Sequence, residues 1–318
     1  MPDYGWMDRM LHRAALQLRP VAELSFEVDQ KTARVDPDAI RSVQHVFVSG
    51  LARSGTTVLM RRLHATGEFC SLTYRSMPFV LAPNVWKRLN ASTAPAKGPK
   101  ERAHGDRIFV DIDSPESLDE VFWRVFDREG YIAPHHLTPH EPDDSTTGKY
   151  IGYVAAILHA SGRDDVRYLS KNNNNILRLG AIRRAFPQAV LLVPFREPVS
   201  HAASLLRQHG NFVARQAEDG FVRSYMSWLG HYEFGLEHRP FRFDGEGADR
   251  LADLCPEHLD YWIEIWCQAY AWIEKTMPRD AVLVCYEDLC EIPEVWSRIE
   301  EMCGAQGVSA DHEPFVMP

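Results

Sequence analysis

Short runs at 45–50 (HVFVSG), 166–170 (VRYLS), 189–195 (AVLLVPF) and 281–286 (AVLVCY) are apolar without alternation. Strands buried on both faces read this way, as in a parallel sheet covered by helices. Helical patterns lie between them. Residues 56–65 come directly after the first strand. At 114–130, Leu118, Val121, Phe122, Val125 and Phe126 repeat at i, i+3, i+4, i+7 and i+8, one apolar stripe. Ser114 is placed to cap that helix, Pro115 fits its first turn and Gly130 ends it. Residues 176–186 lead into the third strand, and 259–277 form a long aromatic helix whose tryptophans suit a core. Strands alternating with helices predict an α/β fold: a single doubly wound domain over 1–318, with a central parallel sheet and helices on both faces. Residues 1–40 read as an N-terminal helical extension and 45–304 as the core. Residues 90–105 and 140–149, rich in Pro, Gly and polar groups, read as loops.

The first strand runs into 50–57, GLARSGTT. Gly50 and Gly55 allow the backbone to curl so that successive N–H groups point inward, and the next helix adds its positive end. Ser54, Thr56 and Thr57 add hydroxyls. The frame is that of G-x-x-x-x-G-K-[ST], but Thr56 stands where a triphosphate loop carries its lysine. This P-loop-like segment is equipped for a single phosphate, with Arg53 offering a fork of donors at its edge.

Composition narrows the field. The chain has 318 residues, 45% hydrophobic and 25% charged, as in ordinary globular proteins. A formal charge of −9 argues against a general nucleic-acid binder, while leaving room for a local basic pocket. No apolar stretch approaches the ~20 residues of a membrane span, and the N-terminus lacks the pattern of a signal peptide. Cys70, Cys255, Cys267, Cys285, Cys290 and Cys303 are scattered without a C-x-x-C pair, the usage of a cytoplasmic protein with reduced thiols. His135, His136 and His140 cluster, but Pro134, Pro139 and Pro142 prevent the helix that would align them, so no metal site is expected.

Two further strand ends carry cations. Arg196 closes the third apolar run and Ser204 comes eight residues later; Lys171 closes the second. Open α/β sheets bind ligands at this rim. Each cation alone is compatible with a surface ion pair, but three from three strand ends suit an anion with separated phosphates.

Taken in order, these segments resemble the sulfotransferases that use 3′-phosphoadenosine 5′-phosphosulfate (PAPS). Their 5′-phosphosulfate loop, P-[KR]-S-G-T-T, is similar to Ala52-Arg53-Ser54-Gly55-Thr56-Thr57 here. Their 3′-phosphate pair, an Arg at a strand end and a Ser eight residues on, is matched by Arg196 and Ser204. Lys171 matches the lysine that touches the transferring sulfuryl group. Tyr286-Glu287-Asp288-Leu289 matches the family's C-terminal Y-E-D-L, and the likeness spans 45 to about 304. The resemblance implies direct in-line transfer of sulfuryl from PAPS to an acceptor hydroxyl on a carbohydrate, lipid, small molecule or protein tyrosine. Arg53 and Lys171 would stabilise the leaving phosphate, without a metal.

The chain departs from the family at the general base. Asn173 stands where cytosolic members carry a His two residues after the lysine, and Tyr74 and Arg75 stand where tyrosylprotein sulfotransferases carry a Glu. His104, Asp106, Glu116 and Glu120 remain as candidates, with His104 on a loop able to close over the acceptor. Glu116 and Glu120 also suit a plain helical role, at the helix dipole and paired with Arg124. Arg75 suits an anionic acceptor or an ion pair, and Asn172 or Asn173 suits either a ligand bond or a helix cap. The competing functions are a P-loop NTPase or small-molecule kinase, which would need the missing lysine and a Mg²⁺-holding Asp, and a non-catalytic binding module.

Overall fold

A computed structural model describes residues 5–33, 36–90, 100–101, 109–110, 112–243, 247–305 and 315. The four expected strands are present as part of a five-stranded parallel sheet. In chain order the strands are β1 (Val46–Val48), β2 (Phe69–Cys70), β3 (Lys100–Glu101), β4 (Phe109–Val110), β5 (Arg167–Lys171), β6 (Val190–Phe195) and β7 (Val282–Cys285). The sheet order is β2-β5-β1-β6-β7, and β3 and β4 form a separate antiparallel pair. β2, two residues long and at the edge, is too short to leave an apolar run in the sequence.

Neighbouring side chains along each strand point to opposite faces, and the core divides accordingly. Phe47, Tyr168, Leu191 and Val193 join one apolar cluster; Val46, Val48, Leu169, Leu192 and Val284 join the other. The first face is covered by helices that include Asp144–Ser161, Leu179–Ala185 and Leu259–Thr276, the second by helices that include Thr56–His64 and Pro293–Met302. Continuous hydrophobicity in the strands is the consequence of this double covering. The N-terminal helix Arg19–Thr32 adds Phe26, packed on Phe122, Phe126 and Tyr153.

Two expectations are corrected. The segment 114–130 is not one helix: it contains helices Glu120–Phe126 and Arg128–Tyr131. Pro115 bridges Thr73 in antiparallel fashion and the Glu116 N–H donates to Leu72 O at 3.0 Å, so 115–116 are extended. The polar stretch 140–149 contains the start of helix Asp144–Ser161, capped by the Asp143 carboxylate on the Thr146 N–H at 2.7 Å. That helix is buried on every side from Tyr150 to Ile157, so it shows no stripe at a helical period. Much of 90–105 lies outside the described residues. Among the described residues no helix is long and apolar enough to cross a membrane.

Candidate functional site

β1 lies between β5 and β6, with Val48 opposite Lys171 on one side and Leu192 on the other. The loop leaving β1 therefore opens between the carboxyl ends of its two neighbours. Its first residue stays in the sheet, the Ser49 N–H donating to Leu192 O at 2.9 Å. Gly50 then passes so close to β6 that a Cβ would lie 2.7 Å from Pro194 O. Arg53 at φ 69° and Gly55 at φ 93° turn the chain back, both in the left-handed region. At Gly55 a Cβ would meet the Tyr286 ring at 2.2 Å, so the loop glycine packs directly against the distant Y-E-D-L segment. Helix Thr56–His64 starts immediately, its amide end facing the loop.

Arg196 and Ser204 reach this loop from β6 and helix Pro198–Glu218. Arg53 Nε donates to Ser204 Oγ at 3.3 Å, and an Arg196 terminal nitrogen donates to Arg53 O at 3.2 Å. Buried His201, on the same helix, bonds Ala52 O through Nε2 at 2.8 Å, and burial lowers its pKa to about 4, so the ring is neutral. Arg196 is buried and its Nε makes no hydrogen bond within the protein; the Glu287 carboxylate is 3.9 Å from it. The Ser49 hydroxyl, buried at the loop's start, is likewise unpartnered. Buried donors left open around a curled loop fit a bound anion.

The sulfotransferase family profile matches residues 45–240, which contain this loop, Lys171, Arg196 and Ser204. The chain belongs to the sulfotransferase family. A sulfotransferase from Mycobacterium tuberculosis H37Rv shares the fold, at 17% identity over 95% of this chain and 77% of that one, with a TM-score of 0.50. One from Mycobacterium avium is 16% identical over 98% and 76%, with a TM-score of 0.47. No curated protein matches the sequence.

In this sulfotransferase the end of β5 builds the other half of the rim. Lys171 is buried at the strand's last position. The asparagines after it are structural ties. Asn172 donates to Glu120 at 2.8 Å and accepts from the Asn174 N–H at 3.0 Å; Asn174 donates to Gly230 O at 3.2 Å. Asn173 faces both ways, its Oδ1 3.5 Å from Thr56 Oγ1 at the start of the helix after the loop and its Nδ2 donating to Glu233 at 3.0 Å.

The base candidates separate clearly. His104 and Asp106 lie outside the described residues. Glu120 is not paired with Arg124, as the sequence suggested, but with Arg178 at 2.8 Å, and the two side chains are 1% and 0% exposed. It also accepts from Asn172 and Tyr131. A carboxylate so committed belongs to the core and is withdrawn as a base. Glu116, ahead of the helix, is half-buried and accepts from Tyr74 Oη at 2.7 Å and the Ser117 N–H at 2.9 Å. An acid thus comes to the Tyr74 position through space. Arg75 forms a bidentate pair with Asp113 at 2.6 and 2.7 Å, an exposed structural bridge. His140, from the histidine cluster, is held by Asp127.

A pair that sequence reasoning missed sits beside Asn173. His231 Nδ1 is 3.5 Å from Glu233, and His231 Nε2 is 3.1 Å from Ser117 O. Gly230, at φ 77°, ends helix Gly220–Leu229. Beyond it, Tyr232 and Phe234 are buried while His231 and Glu233 are only partly so. That alternation, polar residues at i and i+2 between aromatics just after a helix-ending glycine, was the available signal. Burial works to lower the His231 pKa, but the Glu233 carboxylate overrides it and the net shift is upward. Burial likewise works to raise Glu233, and His231, Lys171 and Asn173 overrule it, holding that carboxyl well below its usual range.

Proposed function

We propose that this sulfotransferase moves a sulfuryl group from PAPS to the hydroxyl of a small molecule, glycan or lipid by direct in-line displacement, without a metal. The observation that carries the proposal is the convergence of Arg53, Ser204 and Arg196 from segments far apart in sequence. PAPS would supply an activated sulfuryl on one phosphate and a second phosphate as a handle. Loop residues Arg53, Ser54, Gly55, Thr56 and Thr57 would hold the 5′ end through backbone N–H groups, hydroxyls and the helix terminus. Arg196 and Ser204 would hold the 3′-phosphate, and the open Nε of Arg196 supports that role. Lys171 and Arg53 would neutralise charge on the departing oxygen, which lowers the barrier more than it favours the ground state.

The test uses sulfate-labelled PAPS with a phenol, a sterol, a sugar and a simple alcohol, in the presence of EDTA. A labelled product from at least one acceptor is expected. Labelling that requires added Mg²⁺, or none at all from a protein that binds ATP, would contradict the proposal.

A further inference from the structure

We propose that His231 is the general base of this sulfotransferase, taking the acceptor hydroxyl's proton on Nδ1 in front of the Glu233 carboxylate. The inference rests on the sulfotransfer function proposed above and assigns a site that the family motifs leave vacant, because Asn173 and Tyr74 occupy the positions expected to carry a base. Two bonds define the ring. Nε2 is 3.1 Å from the Ser117 carbonyl, which only accepts, so Nε2 carries a proton. The neutral ring then has its lone pair on Nδ1. That atom faces Glu233 at 3.5 Å, looser than a hydrogen bond, and with the side chains of His231 and Glu233 20% and 14% exposed the pair is not sealed from solvent.

The pair is tied to the rest of the machinery. Glu233 is bonded to Asn173, which touches Thr56 of the phosphate loop, so the base is registered against the donor site. Lys171 stands close enough to act on the charges of both His231 and Glu233. In the step itself the acceptor oxygen forms its bond to sulfur as the bond from sulfur to the bridging phosphate oxygen breaks. That oxygen keeps the electron pair, and the acceptor's proton goes to Nδ1, where the ionised Glu233 stabilises the imidazolium. Ser117 O fixes the ring's tautomer and orientation from the far side, and Glu233 acts through charge, stabilising the imidazolium that forms.

The charged groups acting on His231 are Glu233, Lys171 and Glu116. Burial and Lys171 push its pKa down, the two carboxylates push it up, and the net shift is upward. Turnover should therefore climb with pH through a midpoint above the ordinary histidine value of 6.5. Removing the carboxylate charge in Glu233→Gln should move that midpoint to lower pH and reduce the plateau. The test follows labelled-sulfate loss from PAPS, with water and unsubstituted phenol as acceptors, both of which stay protonated across the window, in the full chain. His231→Ala and His231→Gln should each lose about 10²–10⁴-fold in rate, with affinity for 3′-phosphoadenosine 5′-phosphate within threefold of wild type. If both variants stay within threefold of wild-type rate from pH 6 to 9, or if Glu233→Gln leaves the midpoint in place, the assignment is overturned. A rate collapse in Glu116→Gln with His231 variants active would pass the role to Glu116. If wild type itself fails to bind 3′-phosphoadenosine 5′-phosphate, the sulfotransfer proposal falls and this one with it.

Discussion

Arg53 Nε lies 3.3 Å from Ser204 Oγ, joining side chains 151 residues apart. The contact exists because β1 and β6 are neighbours in a parallel sheet, so the segments leaving the two strands emerge on the same rim. Two motifs distant in sequence thereby meet at the carboxyl end of the sheet, where open α/β sheets bind ligands.

Arg196 is the first point of attack. Its loss should weaken 3′-phosphoadenosine 5′-phosphate by about 2–5 kcal/mol, the usual scale for a desolvated charged contact. Adenosine 5′-phosphosulfate, which lacks the 3′-phosphate, should lose much less. Calorimetry on Arg196→Ala with both ligands decides; equal losses would remove Arg196 from the 3′ site.

Gly55→Ala should damage the loop rather than merely crowd it. The added Cβ meets the Tyr286 ring at 2.2 Å, and a φ of 93° is costly for any residue with a Cβ. Strain of this kind costs about 1–3 kcal/mol. A lower melting temperature and a loss of nucleotide binding are expected in thermal-shift assays, and Tyr286→Ala should not rescue them because the backbone strain remains. Unchanged binding would mean that the loop has another way to turn.

Glu120 and Arg178 should behave as a structural pair. Arg178 lies over the Trp123 and Tyr131 rings, 4.7 and 4.8 Å from their centroids. Glu120→Gln leaves that cation buried and should destabilise the fold by about 3–5 kcal/mol, read as a drop in urea midpoint. Replacing both with Met should recover part of the loss. A Glu120→Gln protein of normal stability and no turnover would return Glu120 to catalysis.

The parts of this molecule that were legible from sequence are those with a local signature. The four apolar runs became strands because burial on both faces leaves nothing polar to interrupt them. The curled loop at 50–57 and the Arg196/Ser204 spacing were legible because glycines and fixed donors leave a local pattern, and the fold brings the two together. Helix Asp144–Ser161 was missed for the opposite reason: burial all round erased its period, and its capped first turn looks like a loop. Glu120 was misplaced because the apolar stripe at 118–126 is real while the helix starts five residues later than a Ser114 cap suggests. Glu233 meets Asn173 only through tertiary packing, so the local alternation at 231–234 marks polar residues among aromatics without announcing what they face.

Acid should destabilise the protein through its buried histidines. His45 Nε2 bonds Ile40 O at 3.0 Å while its Nδ1 accepts from the Tyr168 N–H at 3.0 Å, so the ring is neutral and both nitrogens are used. Burial lowers its pKa to about 4, as it does for His201. The unfolded chain takes up these protons near pH 6.5 and the native state only near 4, so stability falls as pH drops through that window. Urea midpoints should be level above pH 7 and decline steadily between pH 6.5 and 4. A flat profile over that range would contradict the neutral-ring assignment.

The most direct test of the two-phosphate site is a pair of calorimetric titrations of the wild-type protein, with 3′-phosphoadenosine 5′-phosphate and with ATP, both without divalent metal. The separated phosphate sites predict clear binding of the first and much weaker binding of the second. ATP binding as tight as 3′-phosphoadenosine 5′-phosphate, or tightened specifically by Mg²⁺, would contradict the account.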